Sequence, residues 1–389
     1  MAHVLIGWEF GAGRGHVQRM AQIAGALKAQ GHRISFALQR LDGMSAEETD
    51  GAEVWQSPLS PRLHASGAHA SSGPPAGMAD ILARLGFDEA AIVAAVVNGW
   101  DRMLAAIRPD VIVADFAPLL LLAAHDRIPT ISVGTGFTTP PSEMGELPRL
   151  IEIEATVDPA ALLAEVNRGL DGAGRPALDA LPRIFAADRE LAADFVELDP
   201  YAAWRRAAPS RPLPPEFAAR AGGGEEIFVY AGERTQPHSP LWTGLAGAGL
   251  PVRIHALRAT TKVRDTLVGH GFAFEAEPVP FAEIAARSRM VLSHGGHGFT
   301  CASLAAGLPH VIFYYDLEKL LNGVALARLG LGGHVSLRSL EPRAFAASLR
   351  KIYHDDEMAA RVRAAAPGFL EREQVSLEEA VCAAVPALL

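Results

Sequence analysis

The sequence predicts an α/β chain of two domains, each a parallel sheet covered by helices, and three observations predict it. With 389 residues the chain exceeds what one ordinary hydrophobic core holds. A composition of 49% hydrophobic, 7% aromatic and 20% charged residues is globular and excludes a disordered, collagen-like or coiled-coil chain. Short apolar runs alternate with helix-period segments, and the alternation restarts after a Pro- and Gly-rich stretch.

The opening run His3 to Trp8 reads as a strand buried on both faces. Glycines follow at Gly11, Gly13 and Gly15, and Val17, Met20, Ala21, Ala24 and Leu27 then recur at helical spacing up to a stop at Gly31. Arg33 to Leu38 is a second strand, so the chain opens as a βαβ unit with a parallel sheet. Gln56 to Gly77, rich in Pro, Ser, Gly, Ala and His, is expected to be a mobile loop. Ile81 to Ile107 has a helical pattern, and Val111 to Ala114 and Thr130 to Val133 are further buried strands. Prolines at 209, 212, 214 and 215 and glycines at 222–224 mark a linker over 209–226. Beyond it, Ile227 to Tyr230, Val252 to His255, Met290 to Ser293 and His310 to Phe313 are strands, and Pro342 to Leu389 is helical in pattern.

A net charge of −9 lacks the footprint of a nucleic-acid binder. Two cysteines, Cys301 and Cys382, support neither a disulfide framework nor a thiolate metal site. His64 and His69 have no ligand partners at metal spacing and read as solvated or acceptor-contacting. Val111 to Ala124, the longest apolar stretch, is too short to span a bilayer, and no leader pattern opens the chain. A cytoplasmic protein without a transmembrane segment is expected, monomeric or homodimeric; peripheral contact with a membrane surface stays open.

The strongest chemical signal is Ser293-His294-Gly295-Gly296-His297-Gly298-Phe299-Thr300, a glycine turn directly behind an apolar strand and ahead of a helix. Glycines let the backbone turn sharply and present its N–H groups, and the helix points its positive end at the same place. A phosphate is the natural occupant. The structural alternative is a tight strand-to-helix connection with incidental histidines; three glycines and two histidines in one turn favour the anion site.

This segment resembles the nucleotide-sugar signature of family 1 glycosyltransferases, the GT-B enzymes that include macrolide, flavonoid and glucuronosyl transferases. His294 to Gly298 match its His-Gly-Gly-x-Gly, Ala306, Gly307 and Pro309 its Ala-x-Gly-x-Pro, and Glu318 and Asn322 its acidic and Asn positions. Val279-Pro280 upstream and Leu329-Gly330-Leu331-Gly332 downstream match as well, and Gly15-His16-Val17 lies where the family has Gly-His-x-x-Pro. The resemblance implies two Rossmann-like domains facing a central cleft, with C-terminal helices crossing back to the first domain. It divides the chain into an acceptor domain over 1–208, a nucleotide-sugar domain over 227–350, and helices over 351–389 packing across both.

The resemblance further implies an inverting, metal-independent transfer of a sugar from a UDP or dTDP donor to a hydroxyl of a small hydrophobic acceptor, with no cofactor. His16 would be the general base and Asp115 its partner. Imidazole titrates near neutrality, and a carboxylate on its far nitrogen fixes the tautomer. Donor contacts would come from Gly232, Arg234, Val279, Phe281, His294, Gly295, Gly296, His297, Gly298, Phe299, Thr300, Glu318 and Lys319, and acceptor contacts from Glu9, Phe10, Gly13 and Arg14. Glu9 is also a rival base, and Arg14 is as readily a solvated loop cation. Departures from the pattern fall at Phe281, Phe299, Ala302 and Lys319; a lysine at the last position suits an acidic sugar or simply pairs with Glu318. The alternatives are a non-catalytic nucleotide-sugar-binding homologue or partner subunit, or an epimerase or hydrolase on the same fold.

Overall fold

A computed structural model describes residues 1–64, 73–214, 216–372 and 375–389. The chain divides into two compact units, Met1–Pro212 with Gln374–Leu389, and Leu213–Glu373. The first holds strands β1 (His3–Trp8), β2 (Arg33–Leu38), β3 (Glu53–Gln56), β4 (Val111–Asp115), β5 (Thr130–Gly134) and β6 (Arg189–Ala192). The second holds β7 (Glu226–Ala231), β8 (Val252–Ala256), β9 (Ala273–Glu275), β10 (Ser288–Ser293), β11 (His310–Tyr314) and β12 (Gly332–Ser336).

Both sheets are parallel and have the same order. The first runs β3-β2-β1-β4-β5-β6, and the second, β12-β11-β10-β7-β8-β9, repeats that order from its own first strand. In such a doubly wound sheet the connections diverge between the first and fourth strands, which leaves a crevice at their carboxyl ends. In the first unit the crevice lies between Trp8 and Asp115, which are register partners. In the second it lies beside Tyr230 and Ser293, likewise paired.

The core strands are apolar on both faces because helices cover both. On β7, Ile227 and Val229 enter one hydrophobic cluster and Phe228 enters another. The first unit packs Val17, Met20, Ile23 and Leu27 of helix Arg14–Ala29 on β1, β2 and β4. Val381 and Val385 of the last helix, Leu377–Leu388, complete that cluster. The preceding helix, Asp356–Leu370, packs instead on helix His297–Ala306 of the second unit. Within the stretch 209–226, Ser210 bridges Ala193 and Arg211 bridges Ser376 in the first unit, whereas Ala219 is buried in the second.

Three expectations need correction. β3, β6, β9 and β12 were not expected; all four are edge strands. Their partly exposed residues include Glu53, Gln56, Arg189, Glu190 and Glu275, so none shows the continuous apolar run of a central strand. The loop expected from Gln56 is anchored where it begins: Gln56 closes β3 and donates to the Leu38 and Gln39 carbonyls at 3.1 and 2.8 Å. At its other end Gly77 bridges Arg149; His69 lies outside the described residues, and His64 ends the short helix Pro61–His64. Finally, helix Ala90–Ile107 is long and apolar enough to cross a membrane by length and composition. It packs within the first unit, burying Val93, Val97, Trp100 and Leu104 and meeting helix Pro159–Gly172.

That helix contact depends on Gly169, where an added Cβ would lie 2.6 Å from Val93 Cβ and 2.8 Å from the Ala90 carbonyl oxygen. Alanine gains about 1 kcal/mol of helix propensity. Overpacking against a backbone oxygen costs about 1–3 kcal/mol and outweighs it. Gly169→Ala is therefore expected to lower the denaturation midpoint of the first unit, measured by urea unfolding.

Candidate active site

At the β1/β4 crevice, β4 ends on Asp115, whose side chain is fully buried. The loop after β1 turns through Gly11 (φ +85°) and Gly13 (φ +108°), and the next helix carries His16 back over Trp8, with the rings stacked at 5.3 Å. His16 Nδ1 lies 2.9 Å from Asp115 Oδ1. With the Nδ1 proton on that bond, the lone pair sits on Nε2. Nε2 faces Gly11, where a Cβ would come within 2.4 Å. Only glycine, without a Cβ and at ease at positive φ, leaves that nitrogen uncovered.

Sequence reasoning missed Arg19. One turn beyond His16 on the same helix face, its Nε donates to Asp115 Oδ2 at 3.0 Å and its Nη2 to Oδ1 at 3.1 Å. Burial would raise the Asp115 carboxyl, but Arg19 and then His16 outweigh it and hold it below the usual carboxylate range. The signal available in the sequence was the spacing of three from His16.

Glu9 and Phe10, expected on an acceptor surface, are each 1% exposed. The Glu9 carboxylate accepts from Trp100 Nε1 and from the Leu119 amide at 2.9 Å, so it is internal and not positioned as a base. Gly13 and Arg14 are exposed, and Arg14 pairs with Glu48. Beside this loop, an open depression of about 540 Å³ lies at the carboxyl ends of β2 and β3, lined by Gln39, Leu41, Gln56 and Leu59 among others. Gln39 joins it to the loop by donating to the Glu9 and Gly11 carbonyls at 2.7 and 3.1 Å.

At the β7/β10 crevice, β10 ends on Ser293 and helix His297–Ala306 begins four residues later. Gly295 (φ +80°) makes the corner, where a Cβ would lie 2.5 Å from Ile312 Cγ2. The buried Asn322 amide holds the Gly295 carbonyl at 3.1 Å, and the Gly295 amide donates to Ser293 Oγ at 3.0 Å. The first helical bond of this turn is Thr300 N–H to the Gly296 carbonyl, so the amides before it point out of the helix end. Thr300 itself is buried and returns its hydroxyl to the same carbonyl at 3.1 Å, and His297 Nε2 lies 3.5 Å from Cys301 Sγ.

Around the corner stand His294, Gly232, Arg234, Glu318 and Lys319. His294 lies over Gly232, and both His294 and Arg234 lie on the Tyr315 ring, at 6.3 and 5.7 Å. Burial, then the Lys319 charge, push His294 down to about 4, so it is a neutral imidazole. Lys319 pairs with Glu318; burial would discharge it, but Asp316 and Glu318 outweigh that and keep it charged. Val279, Phe281 and Phe299 join a cluster with Phe228 and Tyr230, whose ring lies 5.5 Å from that of His294. Phe281 and Phe299 depart from the family pattern separately in sequence, yet their rings touch edge to face at 5.3 Å.

No protein-family model matches the chain. It is 31% identical over 122 residues to a PGL/p-HBAD biosynthesis glycosyltransferase from Mycobacterium tuberculosis, a match covering 31% of this chain and 28% of that relative. Solved structures match throughout. CalG4, the calicheamicin glycosyltransferase, aligns over 100% of this chain and 98% of its own at a TM-score of 0.68 and 18% identity. VinC in complex with dTDP aligns over 99% of both chains (TM-score 0.65, 13% identity). SsfS6 from Streptomyces sp. SF2575, complexed with thymidine diphosphate, aligns over 99% of this chain and 100% of its own (TM-score 0.63, 17% identity). The fold is therefore the two-domain GT-B fold of these glycosyltransferases.

Burial pushes the Glu9 carboxyl up to about 8 against the pull of the Leu119 amide and the Trp100 indole. The unfolded chain ionises this group near 4.5, so between about 4.5 and 8 the folded chain holds a proton that the unfolded chain releases. Its contribution is complete below 4.5 and is lost as pH rises through 8. Urea unfolding of the wild type and Glu9→Gln across that range should show the difference moving in favour of the variant by about 1.4 kcal/mol per pH unit. A flat difference means an ionised Glu9.

Proposed function

We propose that the chain is a glycosyltransferase that moves a sugar from a nucleoside diphosphate to a hydroxyl of a small hydrophobic acceptor. One observation carries the reading. Two sheets of identical order place a histidine–carboxylate pair at one topological crevice and an amide-rich helix end with cations at the other. The fold shared with solved glycosyltransferases supports it. Thymidine diphosphate in two of those structures supports dTDP as the donor nucleotide, with UDP as the alternative.

In this reading the first unit binds the acceptor and the second the donor. His16 Nε2 takes the hydroxyl proton as the acceptor oxygen bonds to the anomeric carbon, and Asp115 stabilises the imidazolium. The bond from that carbon to the diphosphate oxygen breaks, and displacement from the opposite face inverts the centre. The departing diphosphate gathers negative charge, which the first-turn amides of helix His297–Ala306, neutral His294 and the cations Arg234 and Lys319 offset. That counter-charge makes a metal-independent transfer without a cofactor the natural scheme. The enzyme works in the cytoplasm on a small-molecule acceptor, as a monomer or homodimer.

Thermal-shift measurements should show stabilisation by dTDP or UDP, worth about 2.7 kcal/mol at a hundredfold excess over Kd. Selective stabilisation by NAD or FAD would overturn the assignment. His16→Ala should lower kcat by about 10²–10⁴ with nucleotide binding intact; unchanged turnover removes His16 as the base.

A further inference from the structure

We propose that Arg19 is a positioning residue that sets the basicity of His16 through Asp115. The inference rests on the transferase reading for its consequence, but its physical content belongs to three side chains. Arg19 and His16 share the Asp115 carboxylate: His16 Nδ1 takes Oδ1 at 2.9 Å, and the Arg19 fork takes Oδ2 at 3.0 Å and Oδ1 at 3.1 Å. Arg19 Nη2 stands 3.3 Å from His16 Nδ1. The side chains are 12% (His16), 13% (Arg19) and 0% (Asp115) exposed, so solvent screens the group weakly. Where Arg19 stands, the pattern Gly-His-x-x-Pro has a proline, which carries no donor to a carboxylate.

Charge arithmetic gives the direction. A histidine–aspartate pair alone is −1 with neutral imidazole, and a proton brings it to zero. With Arg19 the three groups are neutral beforehand, and a proton leaves +1 in a largely enclosed place. Arg19 thus disfavours imidazolium and makes His16 a weaker base, while its two-point grip keeps Asp115 aimed at Nδ1. Among the described residues of this unit, the charged groups facing His16 are Asp115 from β4 and Arg19 from its own helix; Trp8 from β1 does not titrate. Arg14 is occupied with Glu48, and the Glu9 carboxyl turns away to Trp100 and Leu119.

The test is NMR titration of the His16 imidazole in the full chain, beside the pH profile of kcat/KM. Arg19→Met should raise the His16 pKa by about 1–2 units, and the acid limb of the profile should move up with it. Arg19→Lys, which restores charge without the fork, should return the pKa most of the way. Arg19→Gln, which keeps a single hydrogen bond, serves if the methionine variant fails to fold. A His16 pKa unmoved in a folded variant overturns the proposal, whether or not turnover is seen. A shifted pKa in a protein that turns over no nucleotide sugar upholds the role of Arg19 and sinks the transferase reading alone.

Discussion

Parallel pairing of two particular strands governs everything the site can be. Because β1 pairs with β4 in register, Trp8 and Asp115 end side by side, and the connections leaving them part. A histidine on the first turns of the following helix then lies against both, stacked on one and bonded to the other. The same pairing of β7 with β10 brings Gly232 beneath His294. Neither arrangement needs a long excursion of the chain, and the groups are held by strand ends rather than by loops alone.

Charge burial follows from that crowding. Asp115 keeps its charge because three donors surround it, one from His16 and two from Arg19. Glu9, the residue after Trp8 at the end of β1, has only uncharged donors, and burial dominates. Their surroundings thereby push the two buried carboxyls in opposite directions, Glu9 up and Asp115 down. In the second unit, the cluster of Phe228, Tyr230, Phe281 and Phe299 makes one wall of the crevice aromatic where the family pattern has polar groups at two places.

Legibility in the sequence tracked burial. The eight central strands are enclosed on both faces, so most of their residues are apolar, with exceptions such as Ser35, Arg253 and His255, and each was placed from the sequence. The four edges escaped because one side of each meets water and accepts Glu, Arg or His. At the site, glycine turns and histidines after strands were visible as patterns. The orientation of a side chain at a strand's exit was not, so Glu9 and Phe10 were expected to contact an acceptor although both point inward. Beyond its spacing from His16, nothing local in the sequence sets Arg19 apart, because its partner Asp115 lies on a distant strand. The Phe281–Phe299 contact joins separate helices and leaves no periodic trace.

The return of the chain to its first unit has a consequence for biosynthesis. Residues 213–373 form a unit spliced into the sequence of another, whose last helix, Leu377–Leu388, supplies Val381 and Val385 to the cluster around Val17 and Met20. On the ribosome the residues before 213 emerge ahead of that unit, yet their apolar face lacks its cover until helix Leu377–Leu388 is made. The spliced unit, contiguous in sequence, is free to finish folding beforehand. Completion of the first core therefore needs a segment that lies downstream of the whole spliced unit.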